Sequence, residues 1–158
     1  VTFFKADAEE EIKGDFDYQQ FNELLDNCIP SRNMLYAVRI DGLFKYVLTR
    51  SVPKQDNYRP LVEVAKEQPE FEYKDIRGTL VGFYNPPFIS SVNVPGYHFH
   101  FISDDHQHGG HLLECHMLEG KIGVQHHSHM DLGLPMTLDY MTADLTLDTK
   151  EDLEKAER

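Results

Sequence analysis

The first periodic stretch of the chain is "DYQQFNELLDNCI", in which Phe21, Leu24, Leu25 and Cys28 recur at i, i+3, i+4, i+7. That spacing predicts an amphipathic helix with one apolar face. Asp15 or Asp17 is placed to cap its start, and Pro30 stands just past its end. The period then shortens. "NMLYAVRIDGLFKYVLTR" holds two β-rich runs around Asp41-Gly42, a pair that predicts a two-residue hairpin turn. In that register Ile40 faces Leu43 and Arg39 faces Phe44. Alternation then puts Leu35, Ala37, Arg39, Phe44, Tyr46, Leu48 and Arg50 on one face. Two arginines on a face otherwise apolar or aromatic need an anion partner or a place at the edge, with the head group in water.

Further along, "RPLVEVAKEQ" reads as a short helix or turn region, "FEYKDI" as a brief strand and "RGTLVGFYNPP" as a strand ended by prolines. Gly96–Ile102 and His111–Leu118 read as strands. Glu119-Gly120 reads as a turn into a further strand, "KIGVQHHSHMDLGLP". "DTKEDLEKAER" predicts a closing helix capped by Asp148 or Thr149, so residues 149–158 form a C-terminal helix or tail. There is no internal repeat and no low-complexity linker. Helices at the ends and hairpin-linked strands between predict an α+β fold, with a mostly antiparallel or mixed sheet and flanking helices.

The chain has 158 residues, 41% of them hydrophobic, enough for a single domain over 1–158 with its own core. No apolar run approaches the ~20 residues of a membrane span. The start, "VTFFKADAEEEIKG", has no initiator Met, no basic n-region and no cleavage site. "VTFF" reads as the middle of a strand, and the expectation is that the chain is the later part of a longer polypeptide. Fifteen basic residues against 27 acidic give a net charge of −12, which repels phosphate backbones and argues against nucleic acid as a partner. Cys28 and Cys115 stand far apart and suggest a reducing, cytoplasmic compartment rather than a disulfide scaffold. As free cysteines they read first as small buried apolar groups.

The densest chemistry lies in "GYHFHFISDDHQHGGHLLEC", with His98, His100, His106, His108 and His111. In a strand, His98 and His100 share one face while Tyr97, Phe99 and Phe101 point into the core. The loop "SDDHQHGG" returns the chain antiparallel, and Gly109-Gly110 permit backbone angles that let His111 begin the return strand close by. Three imidazoles with a position left open describe a catalytic rather than a closed structural metal site. His106 and His108, beside Asp104 and Asp105, read as solvated. The bland alternative is a strand of half-buried histidines paired with carboxylates. A rival cluster, "QHHSHM", offers His126, His127 and His129, with His116 the nearest further candidate.

Three segments together resemble the alpha-acetolactate decarboxylase family: "PSRNMLYAVRIDGLFKYVLTRSVP", "RGTLVGFYNPP" and "VPGYHFHFISDDHQHGGHLLEC". The resemblance implies a carboxy-lyase that converts 2-acetolactate to acetoin, with one Zn2+ held by His98, His100 and His111. It implies an active-site arginine, for which Arg50 in "VLTRSVP" matches best and Arg39 is second. It implies a C-terminal glutamate reaching the metal, for which Glu157 matches best and Glu154 is the alternative. In the implied mechanism the zinc acts as Lewis acid, Arg50 holds the carboxylate or developing oxyanion, and Glu157 is the proton donor. The family's N-terminal portion, with a further active-site glutamate, has no counterpart here, so the expected activity of this chain alone is incomplete. The complete protein is expected to be a homodimer. His106, His108, His126, His127 and His129 match no family ligand. The competing readings are a non-catalytic binding or interaction domain of the same fold and another three-histidine metalloenzyme, such as a cupin-type iron oxygenase.

Overall fold

Asp17 is the residue that caps the first helix. Its carboxylate accepts from the Gln20 backbone N–H at 2.9 Å, and the Gln20 side chain accepts from the Asp17 N–H at 3.1 Å, a closed capping box. The helix, α1 (Tyr18–Cys28), buries Phe21 and Leu25. It lies against the strands in the computed structural model, which describes residues 1–54, 64 and 68–144. The strands are β1 (Ala8–Phe16), β2 (Leu35–Arg50), β3 (Glu70–Asn85), β4 (Gly96–Ser103) and β5 (Gly109–His127). A short helix, α2 (Leu138–Thr142), follows them.

The strands form one sheet in the order β1-β5-β2-β3-β4, and β5 also pairs with β4. The pairings are antiparallel, so the mixed alternative drops out. Strand β5 reaches three neighbours because it is long. Its first residues pair with β4, and its length pairs with β2 on one side and β1 on the other. β2, β3, β4 and β5 thereby close into a cycle around a core that includes Tyr36, Val38, Ile40, Leu80, Phe99 and Phe101. Helix α1 seals that core, with the Phe21 ring 6.2 Å from the Phe99 ring. Burying a side chain such as Phe21 or Leu25 contributes about 1.5–3 kcal/mol.

Asp41-Gly42 is not a turn. β2 runs through it without a break, with Gly42 opposite Gly78 of β3 and Gly120 of β5. A Cβ on Gly42 would lie 2.5 Å from the Glu119 carbonyl oxygen, so glycine is there for close strand approach rather than for turn angles. Asp41 is held within the sheet, accepting from Arg39 and from the Thr79 hydroxyl at 2.6 Å. The predicted common face changes accordingly. Phe44 lies in the core with Val38 and Ile40, whereas Arg39 is exposed on the other side.

Glu119-Gly120 likewise lies inside β5, and the two strands expected around it are one. "FEYKDI" and "RGTLVGFYNPP" also merge, into β3. The break suggested by the sequence survives only as Asp75, whose φ of +49° marks an irregularity opposite β2. The strand expected at "VTFF" is displaced to Ala8–Phe16, where acidic residues dominate. Most of the expected 59–68 helix or turn, the closing helix, Glu154 and Glu157 lie outside the described residues. Among the described residues no helix is long and apolar enough to cross a membrane.

Candidate metal centre

β4 alternates as its sequence demands. Phe99 and Phe101 are buried, while His98 is half-buried and His100 exposed on the opposite face. Their rings stack with centroids 5.3 Å apart, and the two Nε2 atoms lie 3.2 Å apart. The third imidazole arrives through the hairpin. A tight turn at Asp104–Gln107 is fixed by Asp105, whose carboxylate accepts from the Ser103 hydroxyl at 2.5 Å and the Gln107 N–H at 3.0 Å. Those bonds hold the Asp105 carboxyl below its ordinary pKa, the Ser103 hydroxyl most.

Gly109 and Gly110 then pair with Ile102 and Phe101, and His111 pairs with His100. Gly110 has φ +148°, and a Cβ there would lie 2.7 Å from the Arg50 carbonyl oxygen. Only glycine lets β5 begin so close to β2. The His111 ring sits edge-on to its partners, 4.8 Å from His98 and 5.5 Å from His100 between centroids.

The three histidines offer one ligand atom each, all within 4.8 Å of one another. Zinc–nitrogen bonds of about 2.0–2.1 Å in a tetrahedron need donors a little over 3 Å apart. The 3.2 Å pair meets that spacing already. Three imidazoles suit a borderline cation such as zinc, and leave part of a tetrahedral shell for another ligand.

The cluster stands between two openings. A cleft of about 580 Å³ takes in His98, His100, Arg39, Val81 and Phe83. A smaller pocket of about 270 Å³, which shares His98 with it, takes in Tyr18, Tyr97, His111 and Leu112. The Tyr97 phenol is pushed well above its ordinary pKa by burial, and it lies 3.3 Å from the Asp26 carboxylate. Arg50 is buried, 7% exposed, directly opposite His111 in the β2–β5 register. Arg39 is half exposed and forked onto Asp41. The two arginines share the face of the histidines, as expected, but Arg50 is buried there and Arg39 half exposed.

Two of the remaining histidines, His116 and His126, follow the bland alternative of pairing with carboxylates. His116 is paired with Asp15, and the Asp7 carboxylate accepts from the His126 ring Nδ1 at 3.2 Å. Both carboxyls are held below their ordinary pKa, Asp15 chiefly by the His116 ring and Asp7 chiefly by the His126 backbone N–H. His129 is bonded to the Ser128 hydroxyl at 2.9 Å, and His127 has a buried Nε2 with no partner among the described residues. His106 is exposed at the turn with φ +57°, and His108 is exposed with its ring 5.0 Å from Tyr73. Among the described residues, only His98, His100 and His111 form a group of this kind. Residue pattern missed Val81, Phe83 and Tyr18, because a lining residue is defined by cross-strand register and helix docking.

A β-rich domain with an open three-histidine cluster on one hairpin defines a candidate metalloenzyme centre. A family model for alpha-acetolactate decarboxylase matches residues 1–147, and the chain belongs to that family. It is similar to alpha-acetolactate decarboxylase of Methanosarcina mazei, at 40% identity over all of this chain and 55% of that protein. It is similar to the alpha-acetolactate decarboxylase of Bacillus subtilis strain 168, at 39% identity over 99% of this chain and 62% of that one. The crystal structure of the Bacillus subtilis protein superposes with a TM-score of 0.93 and 37% identity, covering 99% of this chain and 68% of the other. The chain thus spans somewhat more than half the length of these curated relatives.

Proposed function

We propose that the chain carries the metal centre of an acetolactate decarboxylase, and that the complete protein converts 2-acetolactate to acetoin and carbon dioxide. The observation that carries the reading is the convergence of His98, His100 and His111, in a chain of this family. Those three residues would hold Zn2+. Bound there, zinc would supply Lewis acidity toward the substrate's ketone and hydroxyl oxygens.

The chain's own residues account for the rest. β4 and the Gly109-Gly110 hairpin fix three imidazoles on adjacent strands, so little is left to organise on binding. Arg50 is the residue assigned to the carboxylate or the developing oxyanion. Its burial beside His111 supports it over Arg39, because a guanidinium removed from water and held by the sheet acts as a stronger, pre-oriented donor. Decarboxylation breaks the bond to the carboxylate carbon, and the electron pair left behind passes into the neighbouring ketone. A carboxylic acid then protonates that carbon from one face. Glu157, or Glu154 in its place, is assigned that proton and lies outside the described residues. Phe99 belongs to the core and takes no part. A homodimer and a cytoplasmic location complete the proposal, the latter supported by the two unbridged thiols Cys28 and Cys115.

His98→Ala tests the reading. Zinc content by elemental analysis and acetoin formation should both collapse. Stoichiometric zinc together with an unchanged rate would remove His98 from the centre.

A further inference from the structure

The outer face of the sheet arranges its residues in rows. Arg39 of β2 stands opposite Val81 of β3, and Val81 stands opposite His100 of β4. Directly opposed residues of antiparallel strands project to the same face. Their neighbours Val38, Leu80, Phe99 and Phe101 fill the core, so Arg39, Val81 and His100 all project outward. The next row, Ala37–Phe83–His98, is built the same way. A guanidinium and two histidines thus border one cleft, with Val81 and Phe83 between them. Two strand spacings separate the Arg39 and His100 backbones, about 9–10 Å, a little beyond the reach of one extended arginine. Arg39 therefore meets a ligand at the cleft's outer end and stays off the metal itself.

The charge pattern at this cleft differs from that of the chain. The net charge is −12, yet no Asp or Glu is among the described residues lining it, and Arg39 is its one charged side chain. Arg39 is held by Asp41 through Nε and Nη2, with contacts of 2.9 Å to each carboxylate oxygen, and Nη1 lies outside that fork. Both partners are about half exposed, at 51% and 48%. An ion pair so exposed contributes little and exchanges readily with another anion. Asp41 is further engaged by the Thr79 hydroxyl, so it keeps a partner when Arg39 turns away.

We propose that Arg39 is the anion-recruiting residue of this cleft, selecting a small carboxylate ligand by charge before it reaches the histidines, with Asp41 as its competing intramolecular anion. The role is separate from that assigned to Arg50. It deepens the decarboxylase reading and rests on it for the identity of the acid. A cationic arginine in an otherwise acidic molecule focuses the local field and speeds encounter with anions, and salt removes the advantage.

The test uses 2-hydroxy-2-methylpropanoate, which keeps the hydroxy acid of the implied substrate and has no ketone, so it cannot decarboxylate. Its uncharged amide is the control. Both are titrated calorimetrically into the full chain, with and without bound zinc, at low and high salt. Arg39→Gln should weaken carboxylate binding about fivefold at low ionic strength, leave the amide unchanged and flatten the salt dependence. Asp41→Asn should tighten the carboxylate.

A wild-type chain that binds acid and amide alike, or an Arg39→Gln variant that retains the wild-type preference and salt slope, overturns the proposal. A loss of acid and amide together also overturns it, since that marks a structural role. Zinc content read on the same samples reports separately on the metal centre. A chain that holds no zinc but discriminates acid from amide through Arg39 sinks the decarboxylase reading and leaves the recruiting role standing.

Discussion

Gly110→Ala separates the hairpin's geometry from the chemistry of its ligands, because it alters no metal-binding atom. Gly110 has φ +148°, and an added Cβ would meet the Arg50 carbonyl oxygen at 2.7 Å and the Thr49 Cβ at 3.1 Å. The first of these contacts is to backbone, which cannot rotate away. Holding an alanine at such angles costs about 1–3 kcal/mol. The chain can shed that strain by lifting the start of β5 off β2, which carries His111 away from His98 and His100. Metal binding requires His111 to return, so the strain reappears in the affinity, as zinc bound about 5–150-fold more weakly. Competition with a chromophoric chelator measures this directly. Gly133→Ala is the control, since a Cβ there meets nothing within 4 Å. Wild-type zinc affinity and wild-type Tm in Gly110→Ala would refute the argument that this glycine sets the third ligand.

Leu25→Ala in α1 removes a side chain that is 1% exposed and should cost about 2–5 kcal/mol in chemical denaturation, with zinc stoichiometry intact. The lowered carboxyls of Asp7 and Asp15 give stability that is fully present above an unfolded Asp pKa of about 3.9 and is lost as pH falls through their lower folded values. The double variant Asp7→Asn, Asp15→Asn should therefore flatten the acid limb of the stability curve below about pH 4, and an unchanged limb would refute the pairing. The Cys28 thiol is pushed up to about 11 by burial and by the Glu10 carboxylate it donates to at 3.4 Å. Iodoacetamide should label Cys28 slowly at neutral pH, and Glu10→Gln should speed the reaction. Labelling as fast as a free thiol would show that the site is not as described.

The helix was legible because Phe21, Leu24, Leu25 and Cys28 keep one period and Asp17 supplies its own cap. The histidine hairpin was legible for a similar reason: alternation sorts His98 and His100 from Phe99 and Phe101, and Gly109-Gly110 mark the return. Asp41-Gly42 misled because glycine serves two purposes that look identical in a sequence. Here it admits neighbouring strands, and only the alignment with Gly78 and Gly120 distinguishes that from a turn. The same error put Phe44 on the arginines' face, whereas Arg39 and Arg50 do share one, through the row Arg39–Val81–His100–His111–Arg50. β1 was hidden because its contacts are charged. Of "AEEEIKGDF", Ile12 and Phe16 are the two large apolar residues, and its hold on β5 includes pairs such as Glu9 with Lys121 at 2.8 Å. The cleft lining needed the register of three strands, which no local pattern carries.

β1 has a further consequence. It pairs with β5 along one side, and among the described residues no strand pairs with its other side. A bare rim of backbone donors and acceptors invites another chain to add a strand, the usual first step of sheet aggregation. This rim carries Glu9, Glu10 and Glu11 in succession, and a second copy would have to bring the same three charges alongside. The run that made β1 hard to recognise as a strand is therefore also a charge barrier against a second copy of itself.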